Sequence, residues 1–132
     1  MPGSGSPTAL ERNRQSEIID ERHLALMTLG DSRLEREVLE LFLRQAALML
    51  GRIGGASPAL AGAAAHTLKG SAGGIGAWRL AQAAEAFEQA VANADEIQIK
   101  QAFSALTASS QEASAAIAAR LDRSFAGWAQ ER

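Results

Sequence analysis

Residues 58–73 read PALAGAAAHTLKGSAG, and their pattern guides the interpretation of the whole chain. Ser57 is a favourable N-cap, Pro58 suits the first turn of a helix, and the glycines from Gly73 onward end it. On a helix with about 100° per residue, small residues lie within about 60° of His66, whereas a second, apolar group that includes two leucines and an isoleucine gathers on the opposite side. The small residues are Ala59, Gly62, Ala63 and Gly73, and the opposite group is Leu60, Ala64, Leu68 and Ile75. The pattern predicts a helix that packs on one face and leaves the face around His66 clear.

The clear face has an energetic cost. A glycine inside a helix costs about 1 kcal/mol relative to alanine, so Gly62 and Gly70 together cost about 2 kcal/mol. Lys69 lies about 60° to one side of His66 and Gly70 about 40° to the other. We therefore expect the surface of another protein to approach the backbone around His66. The predicted contact residues are Gly62, Ala63, Gly70 and Gly73.

Two helices are predicted before this one. The first follows Asp20 as N-cap, ends at Gly30 and uses Leu24 and Met27 to cover one end of the fold. The second begins at a capping box formed by Ser32 and Glu35 and runs to about Arg52, followed by a turn over residues 51–57. Its predicted core stripe is Leu34, Val38, Leu41, Phe42, Leu48 and Met49.

Two further helices are predicted after the glycines. The first stops near Asn93 and has the stripe Leu80, Ala84, Phe87 and Val91. Asp95 then caps a last helix whose apolar seam continues through Phe125 to Trp128. That helix would be about 50 Å long, about twice the length of its predecessor. Its end could overhang, bend back near Gly127 or pack on the first helix, and the sequence does not choose between these.

The predicted fold is all-α, an antiparallel up-down four-helix bundle with a short N-terminal covering helix. Residues 16–128 would form this bundle, between a flexible N-terminal tail at residues 1–15 and a C-terminal tail at residues 129–132. With 132 residues and 47% hydrophobic residues, the chain is long and apolar enough for one domain with its own core. We expect a monomer.

Composition argues against several classes of function. The formal net charge is -2 and the arginines are scattered, so nucleic-acid binding is not indicated. No apolar run is long enough for a membrane span, and the N-terminus does not resemble a signal peptide, so we predict a cytoplasmic protein. Two histidines and no cysteine give no metal-ligand spacing. Residues 73–76 follow a helix and lack the end of a phosphate-binding loop, which argues against ATP binding and kinase activity.

The motif around His66 resembles that of the histidine-containing phosphotransfer (HPt) domains of phosphorelays. Those domains have a helical His followed by Leu, Lys, Gly and often Ser, in the spacing found here from His66 to Ser71. The likeness continues through residues 73–77 to Leu80, Ala84 and Glu88, and upstream to residues 30–31 and the apolar run at residues 34–50. The resemblance implies that His66 accepts a phosphoryl group, that Lys69 is the cation beside that group, and that Gly70 leaves room for the partner.

Glu88 is a candidate for orienting the ring of His66. It lies on the flank of its helix, about 70° from the centre of the apolar stripe, and a carboxylate there could hold the proton on one ring nitrogen. In HPt domains the matching position often holds Gln or Glu in this role. The alternative is that Glu88 is a solvated flank charge like Glu85, and Lys69 has the corresponding alternative of an ordinary surface lysine. We interpret His23 as a helix-surface residue, and Trp78 as either a lid over its helix start or a partner contact, with the lid favoured.

The function implied by the resemblance is that of a phosphorelay intermediate. It would accept a phosphoryl group from an aspartate of one receiver domain, in a response regulator or a hybrid kinase, and pass it to another. It would be a carrier rather than an enzyme, with no cofactor of its own, because the receiver would bring the Mg²⁺. Two alternatives stay open: a receiver-binding, inhibitory module of the same fold that needs no phosphorylation, and the phospho-accepting domain of a multidomain chemotaxis-type histidine kinase.

Overall fold

Five helices account for most of the chain in the computed structural model, which describes residues 18–130, with side chains as far as residue 123. The helices are α1 (Glu21–Met27), α2 (Ser32–Gly55), α3 (Pro58–Gly74), α4 (Trp78–Ala92) and α5 (Glu96–Gln130). Within the described range there is no strand, and the predicted all-α class is confirmed. The predicted N-terminal tail and the last two residues of the predicted C-terminal tail lie outside the described residues.

The longer helices pack against their neighbours in chain order. Helix α3 contacts α2 and α4, α4 contacts α5, and α5 returns to contact α2. Buried alanines alternate with larger side chains in the shared core, which lets the helices approach closely. Fully buried members of this core include Leu39, Leu68, Leu80, Leu106 and Ile117. Among the described helices none is both long enough and apolar enough to cross a membrane.

Helix α1 begins as predicted, because the side chain of Asp20 accepts a hydrogen bond from the backbone N–H of His23 at 3.1 Å. Leu24 is fully buried, as predicted. The predicted burial of Met27 is wrong, since its side chain is 56% exposed. The buried face of α1 is centred on Leu24 and Thr28, and Met27 falls on its flank. The helix ends at Met27, before a turn through Gly30, which has φ 70°.

The predicted start of α2 is wrong by one residue. The N-cap is Asp31, whose carboxylate accepts from the backbone N–H groups of Arg33 at 2.9 Å and Leu34 at 3.1 Å. A carboxylate placed one residue before Ser32 satisfies two free donors of the first turn. The helix also passes the predicted end at Arg52 and reaches Gly55, because Ile53 is buried in the core.

The predicted core stripe of α2 is rotated from the observed one. Phe42 is buried as predicted, and Leu34, Val38 and Met49 are half-buried. Leu41 and Leu48 are 46% and 53% exposed, so their predicted burial is wrong. The face that meets α3 and α5 is instead completed by Leu39, Ala46 and Ile53. Small Ala46 permits a close approach that a stripe of large residues would not.

Helix α3 follows its predicted boundaries, with Ser57 as N-cap, Pro58 in the first turn and the end at Gly74. Ala64, Leu68 and Ile75 are buried as predicted. Leu60 is 65% exposed, contrary to the prediction. The buried face of α3 is centred near Leu68 and Ala72, about 100° from Leu60 around the helix.

Helices α4 and α5 agree with their predicted caps. Leu80, Ala84 and Phe87 are buried in α4, Val91 is half-buried, and Asn93 is the C-cap. The side chain of Asp95 accepts from the N–H groups of Ile97 and Gln98 at the start of α5. The 35 residues of α5 run continuously through Gly127 and span about 52 Å.

Helix α5 is tied to both α1 and α2 through one arginine. Arg120 donates to both carboxylate oxygens of Glu35 in α2, at 2.9 and 3.3 Å, and also to Glu21 in α1. The sequence leaves three courses open for the end of this helix, and of these the contact with the first helix is present. The side chains of Phe125 and Trp128 lie outside the described residues.

Candidate functional site

His66 projects from the middle of α3 into solvent. Its side chain is 68% exposed, although α3 is packed on both sides by α2 and α4. Ala63, Thr67 and Gly70 are the exposed residues nearest to it along the same face of α3. A Cβ placed on Gly70 would meet nothing within 4 Å in the described structure. The neighbours of the imidazole on this face have short side chains or none. A second protein can therefore reach the ring.

Helix α4 brings a carboxylate to the ring. Glu88 Oε2 lies 2.9 Å from His66 Nδ1, and Glu88 Oε1 lies 2.8 Å from Lys69 Nζ. The side chain of Glu88 is only 24% exposed, so its two oxygens are held between α3 and α4. The structure thus brings together His66, Lys69 and Glu88 into one hydrogen-bonded group.

The charges in this group stabilise each other. The hydrogen bond that Lys69 donates to the Glu88 carboxylate raises the pKa of Lys69, with a further contribution from the charge of Glu85, and this exceeds the opposing effect of burial. Burial alone would raise the pKa of Glu88, but the hydrogen bonds from Lys69 and His66 outweigh it and the pKa is lowered. Near neutral pH the pair is therefore a carboxylate and an ammonium group.

This arrangement selects one tautomer of the neutral imidazole. An ionised carboxylate accepts hydrogen bonds and cannot donate them, so His66 Nδ1 is the nitrogen that carries the proton. The lone pair of the neutral ring then lies on Nε2. A nitrogen lone pair at an exposed position can attack an electrophile brought by a partner.

The glycines and Ala63, all predicted as contact residues, occupy two different environments. Gly70 and Ala63 lie on the exposed surface beside His66. Gly62 faces α4, where an added Cβ would lie 3.4 Å from Val91 Cγ1, and Gly73 lies under Trp78, with a corresponding distance of 3.7 Å. An added Cβ at either position would make ordinary van der Waals contact, so Gly62 and Gly73 lie on the side of α3 that faces α4 rather than on the exposed surface beside His66.

Two depressions flank His66. A groove of about 670 Å³ between α2 and α3 is lined by residues that include Met49, Arg52, Leu60, Ala63 and Thr67. A cleft of about 240 Å³ beside α4 is lined by Lys69, Trp78, Ala81, Gln82 and Glu85. The groove was missed by the sequence analysis, which placed Leu60 in the core. The available signal was the small residues Gly51, Gly55 and Ala56, which line the groove and leave space beside α3.

His23 and Trp78 lie together at one end of the site. Their ring centroids are 4.8 Å apart, and the Trp78 indole N–H donates to Asp20 Oδ2 at 3.0 Å. His23 is half-buried by this contact, so the interpretation of a simple surface residue is wrong. Trp78 covers the start of α4 and attaches α1 to it, in agreement with the lid interpretation.

Within the described part of the chain, no three His, Cys, Asp or Glu side chains are clustered so that they could hold a metal ion. Glu88 is the carboxylate beside His66, and both of its oxygens are already engaged by His66 and Lys69.

Comparison with known proteins gives two matches. Residues 37–126 match the model of the Hpt domain family. The fold is similar to the X-ray structure of a histidine-containing phosphotransfer protein from rice, with a TM-score of 0.72, 20% identity and 86% of each chain covered. A comparison with curated proteins finds no match. At 20% identity the structural likeness shows the fold, whereas the family match covers more than half of the chain. The protein therefore belongs to the Hpt domain family, the histidine-containing phosphotransfer domains of phosphorelays.

Proposed function

We propose that this protein is a phosphorelay intermediate in which His66 takes a phosphoryl group from the aspartate of one receiver domain and passes it to another. Family membership gives the class of function, which is phosphotransfer by a carrier protein. The observation that supports His66 as the acceptor is the 2.9 Å contact between its Nδ1 and Glu88, on a ring that is otherwise exposed.

The transfer step follows from this geometry. The lone pair of His66 Nε2 attacks the phosphorus of the aspartyl phosphate, a P–N bond forms, and the bond from phosphorus to the aspartate oxygen breaks. The receiver regains its carboxylate. The ring, still protonated on Nδ1, becomes positively charged, and the carboxylate of Glu88 stabilises that charge through its hydrogen bond. The same steps in reverse deliver the phosphoryl group to a second receiver.

Lys69 and Gly70 have complementary roles in the proposal. Lys69 lies one turn from His66, and its ammonium group can partly neutralise the phosphoryl oxygens as negative charge spreads over them. Gly70 has open space above it, so a receiver can approach the backbone of α3 there. The Mg²⁺ that the reaction requires would be supplied by the receiver. A cytoplasmic location and a monomeric state stay predictions from the sequence.

Label transfer tests the proposal. Purified receiver domains are phosphorylated with radiolabelled acetyl phosphate and Mg²⁺, freed of the donor and mixed with the protein. We expect label on the protein that is lost in acid and survives alkali, as phosphohistidine does. His66→Ala should abolish labelling, and His23→Ala should retain it.

Other outcomes would favour the alternatives. Undiminished labelling of His66→Ala would exclude His66 as the acceptor. Binding of receivers without any transfer would favour the inhibitory module. Labelling of His66 by ATP and a histidine-kinase core, with no transfer from any receiver, would favour the kinase-domain alternative.

A further inference from the structure

The surface around His66 has two different flanks. On α3, Ala63 and Thr67 lie about 60° and 100° to one side of His66, and Lys69 lies about 60° to the other side. Ala63 and Thr67 line the groove beside α2, whereas Lys69 lines the cleft beside α4. The groove and the cleft therefore lie on opposite sides of the position of His66 on α3.

These flanks carry opposite charges that have no ion-pair partner within the described structure. Arg52 is exposed in the groove and Glu85 is exposed at the cleft. Among residues 18–123, neither side chain makes a hydrogen bond or an ion pair within 4 Å, and the charge of Glu85 acts on Lys69 only from a greater distance. Lys69, the other charged residue of the cleft, is already paired with Glu88.

We propose that Arg52 and Glu85 fix the orientation in which a receiver domain docks over His66. The receiver would place a carboxylate against Arg52 and a basic side chain against Glu85, with an apolar side chain in the groove between Leu60 and Met49. This inference rests on the proposed function, because it concerns the partner of the same site.

Orientation matters because phosphoryl transfer needs the attacking and leaving atoms in line. Apolar contact in the groove attracts a partner without fixing its rotation about His66. A positive charge on one flank and a negative charge on the other distinguish one rotation from its opposite, since the reversed partner would bring like charges together. Charges at the rim of an interface also raise the rate of productive encounter.

Exchange of the two charges provides the test. The double variant Arg52→Glu with Glu85→Arg keeps the net charge of the chain and changes only exposed side chains. We expect transfer from the phosphorylated receiver to slow by at least about tenfold, with unchanged helicity and thermal stability. The matched control is Glu96→Lys with Lys100→Glu, two exposed residues on α5, which packs against α4 and α2. The control should transfer within about twofold of the wild type.

Salt dependence distinguishes charge recognition from a structural effect. For Glu85→Arg alone, transfer should recover as ionic strength rises, because salt screens the new repulsion. Wild-type transfer should fall over the same range. If the exchanged variant transfers within about twofold of the wild type, the orientation inference is wrong while the proposed function stands. If the wild type accepts no phosphoryl group from any receiver, both are wrong.

Discussion

Glu88 divides its two oxygens between two side chains of α3. One oxygen contacts the ring of His66 and the other contacts the ammonium group of Lys69. A single carboxylate therefore fixes the tautomer of the proposed acceptor and the position of the proposed cation. The first role is predictable from helical angles and family likeness, whereas the contact with Lys69 is visible only in the structure.

Replacing Glu88 should change which ring nitrogen of His66 carries the proton, while the fold stays intact. In Glu88→Ala, Nδ1 loses its acceptor, so the population of the tautomer protonated on Nε2 should rise, and in this tautomer Nε2 has no lone pair with which to attack the phosphorus. A hydrogen bond to a charged group contributes about 1.5–3 kcal/mol, so transfer should slow by about 10-fold to 100-fold. The tautomers are measured from the ring ¹⁵N chemical shifts.

Two comparison variants sharpen this prediction. Glu88→Gln keeps a carbonyl oxygen that can accept from Nδ1, so its tautomer ratio should stay closer to the wild type. Glu85→Ala removes an exposed carboxylate one turn away and should leave the ratio unchanged. An unchanged ratio in Glu88→Ala would mean that Glu88 does not orient the ring.

Gly70→Leu should slow phosphoryl transfer without lowering the stability of the fold. The new side chain meets open space in the free protein, and leucine is favoured over glycine in a helix, so unfolding free energy should stay level or rise by about 0.5–1 kcal/mol. The same side chain would hold a receiver away from His66, so transfer should fall at least about tenfold. Gly74→Leu, also in open space at the end of α3, is the control and should transfer normally. Normal transfer by Gly70→Leu would contradict close docking at this point.

At the scale of elements, α1 is attached to the rest of the protein around one aspartate. Asp20 caps its own helix, accepts from the indole of Trp78 and donates its backbone N–H to the carbonyl of Gly76 at 2.9 Å. Gly76 has φ 79°, and an added Cβ would lie 2.9 Å from the backbone oxygen of Asp20. The turn between α3 and α4 therefore has no room for a side chain where α1 crosses it.

Gly76→Ala is expected to destabilise the fold at this crossing. A residue with a Cβ is strained at this φ, and the clash is with backbone rather than with a movable side chain, so the loss should be about 2 kcal/mol or more. Gly74→Ala, two residues earlier and in open space, should be neutral or slightly stabilising. Denaturant unfolding of the two variants measures the difference. Equal unfolding free energies for Gly76→Ala and Gly74→Ala would show that the backbone around Gly76 can shift at little cost.

The helix boundaries were predictable where a cap residue acts locally. Asp20 and Asp95 mark the observed starts through side-chain hydrogen bonds, and Ser57 with Pro58 marks the start of α3 without one. The start of α2 was placed one residue late because Asp31 and Ser32 are both good caps in sequence. Both side chains can accept from the N–H groups of the first turn, so the local sequence does not decide between them. The choice depends on the backbone conformation of the turn through Gly30.

The rotation of each helix about its axis was less predictable. Leu48 and Leu60 were expected in the core and are exposed, because α3 packs through an alanine-rich face and α2 packs through Leu39, Phe42, Ala46 and Ile53 instead. Hydrophobic periodicity gives weight to large residues and underestimates a face of small ones. The exposure of Leu60 matters for the proposed function, since Leu60 lines the groove beside His66. The Lys69 to Glu88 contact was missed for the same reason, because it depends on how α4 is rotated against α3.

At the scale of the whole molecule, the core and the site are held together by different interactions. The core is formed by large and small apolar side chains shared by all five helices. The site depends on charged groups at the surface of α3 and α4, and its residues contribute little apolar burial. Substitutions at His66, Lys69 and Glu88 should therefore change transfer far more than they change the overall fold.

The pair of Lys69 and Glu88 should nevertheless give the stability of the protein a pH dependence that can be isolated. The pKa of Glu88 is lowered from 4.5 on folding, so its contribution to stability is present above 4.5 and is lost as pH falls through the folded value. The pKa of Lys69 is raised from 10.5, so its contribution is present below 10.5 and is lost as pH rises through the folded value. The interaction between them should be present across the range between these limits.

A double-mutant cycle measures that interaction directly. Unfolding free energies of the wild type, Lys69→Met, Glu88→Gln and the double variant give a coupling energy at each pH. We expect a favourable coupling near neutral pH that declines below 4.5 and again above 10.5. The cycle of Arg79 and Glu112, paired at 3.1 Å between α4 and α5 away from His66, provides a comparison for an ion pair outside the site. A Lys69–Glu88 coupling of zero at neutral pH, or one that grows as Glu88 is protonated, would show that the carboxylate does not hold the ammonium group in solution, and Lys69 would then be free to move before any phosphoryl group arrives.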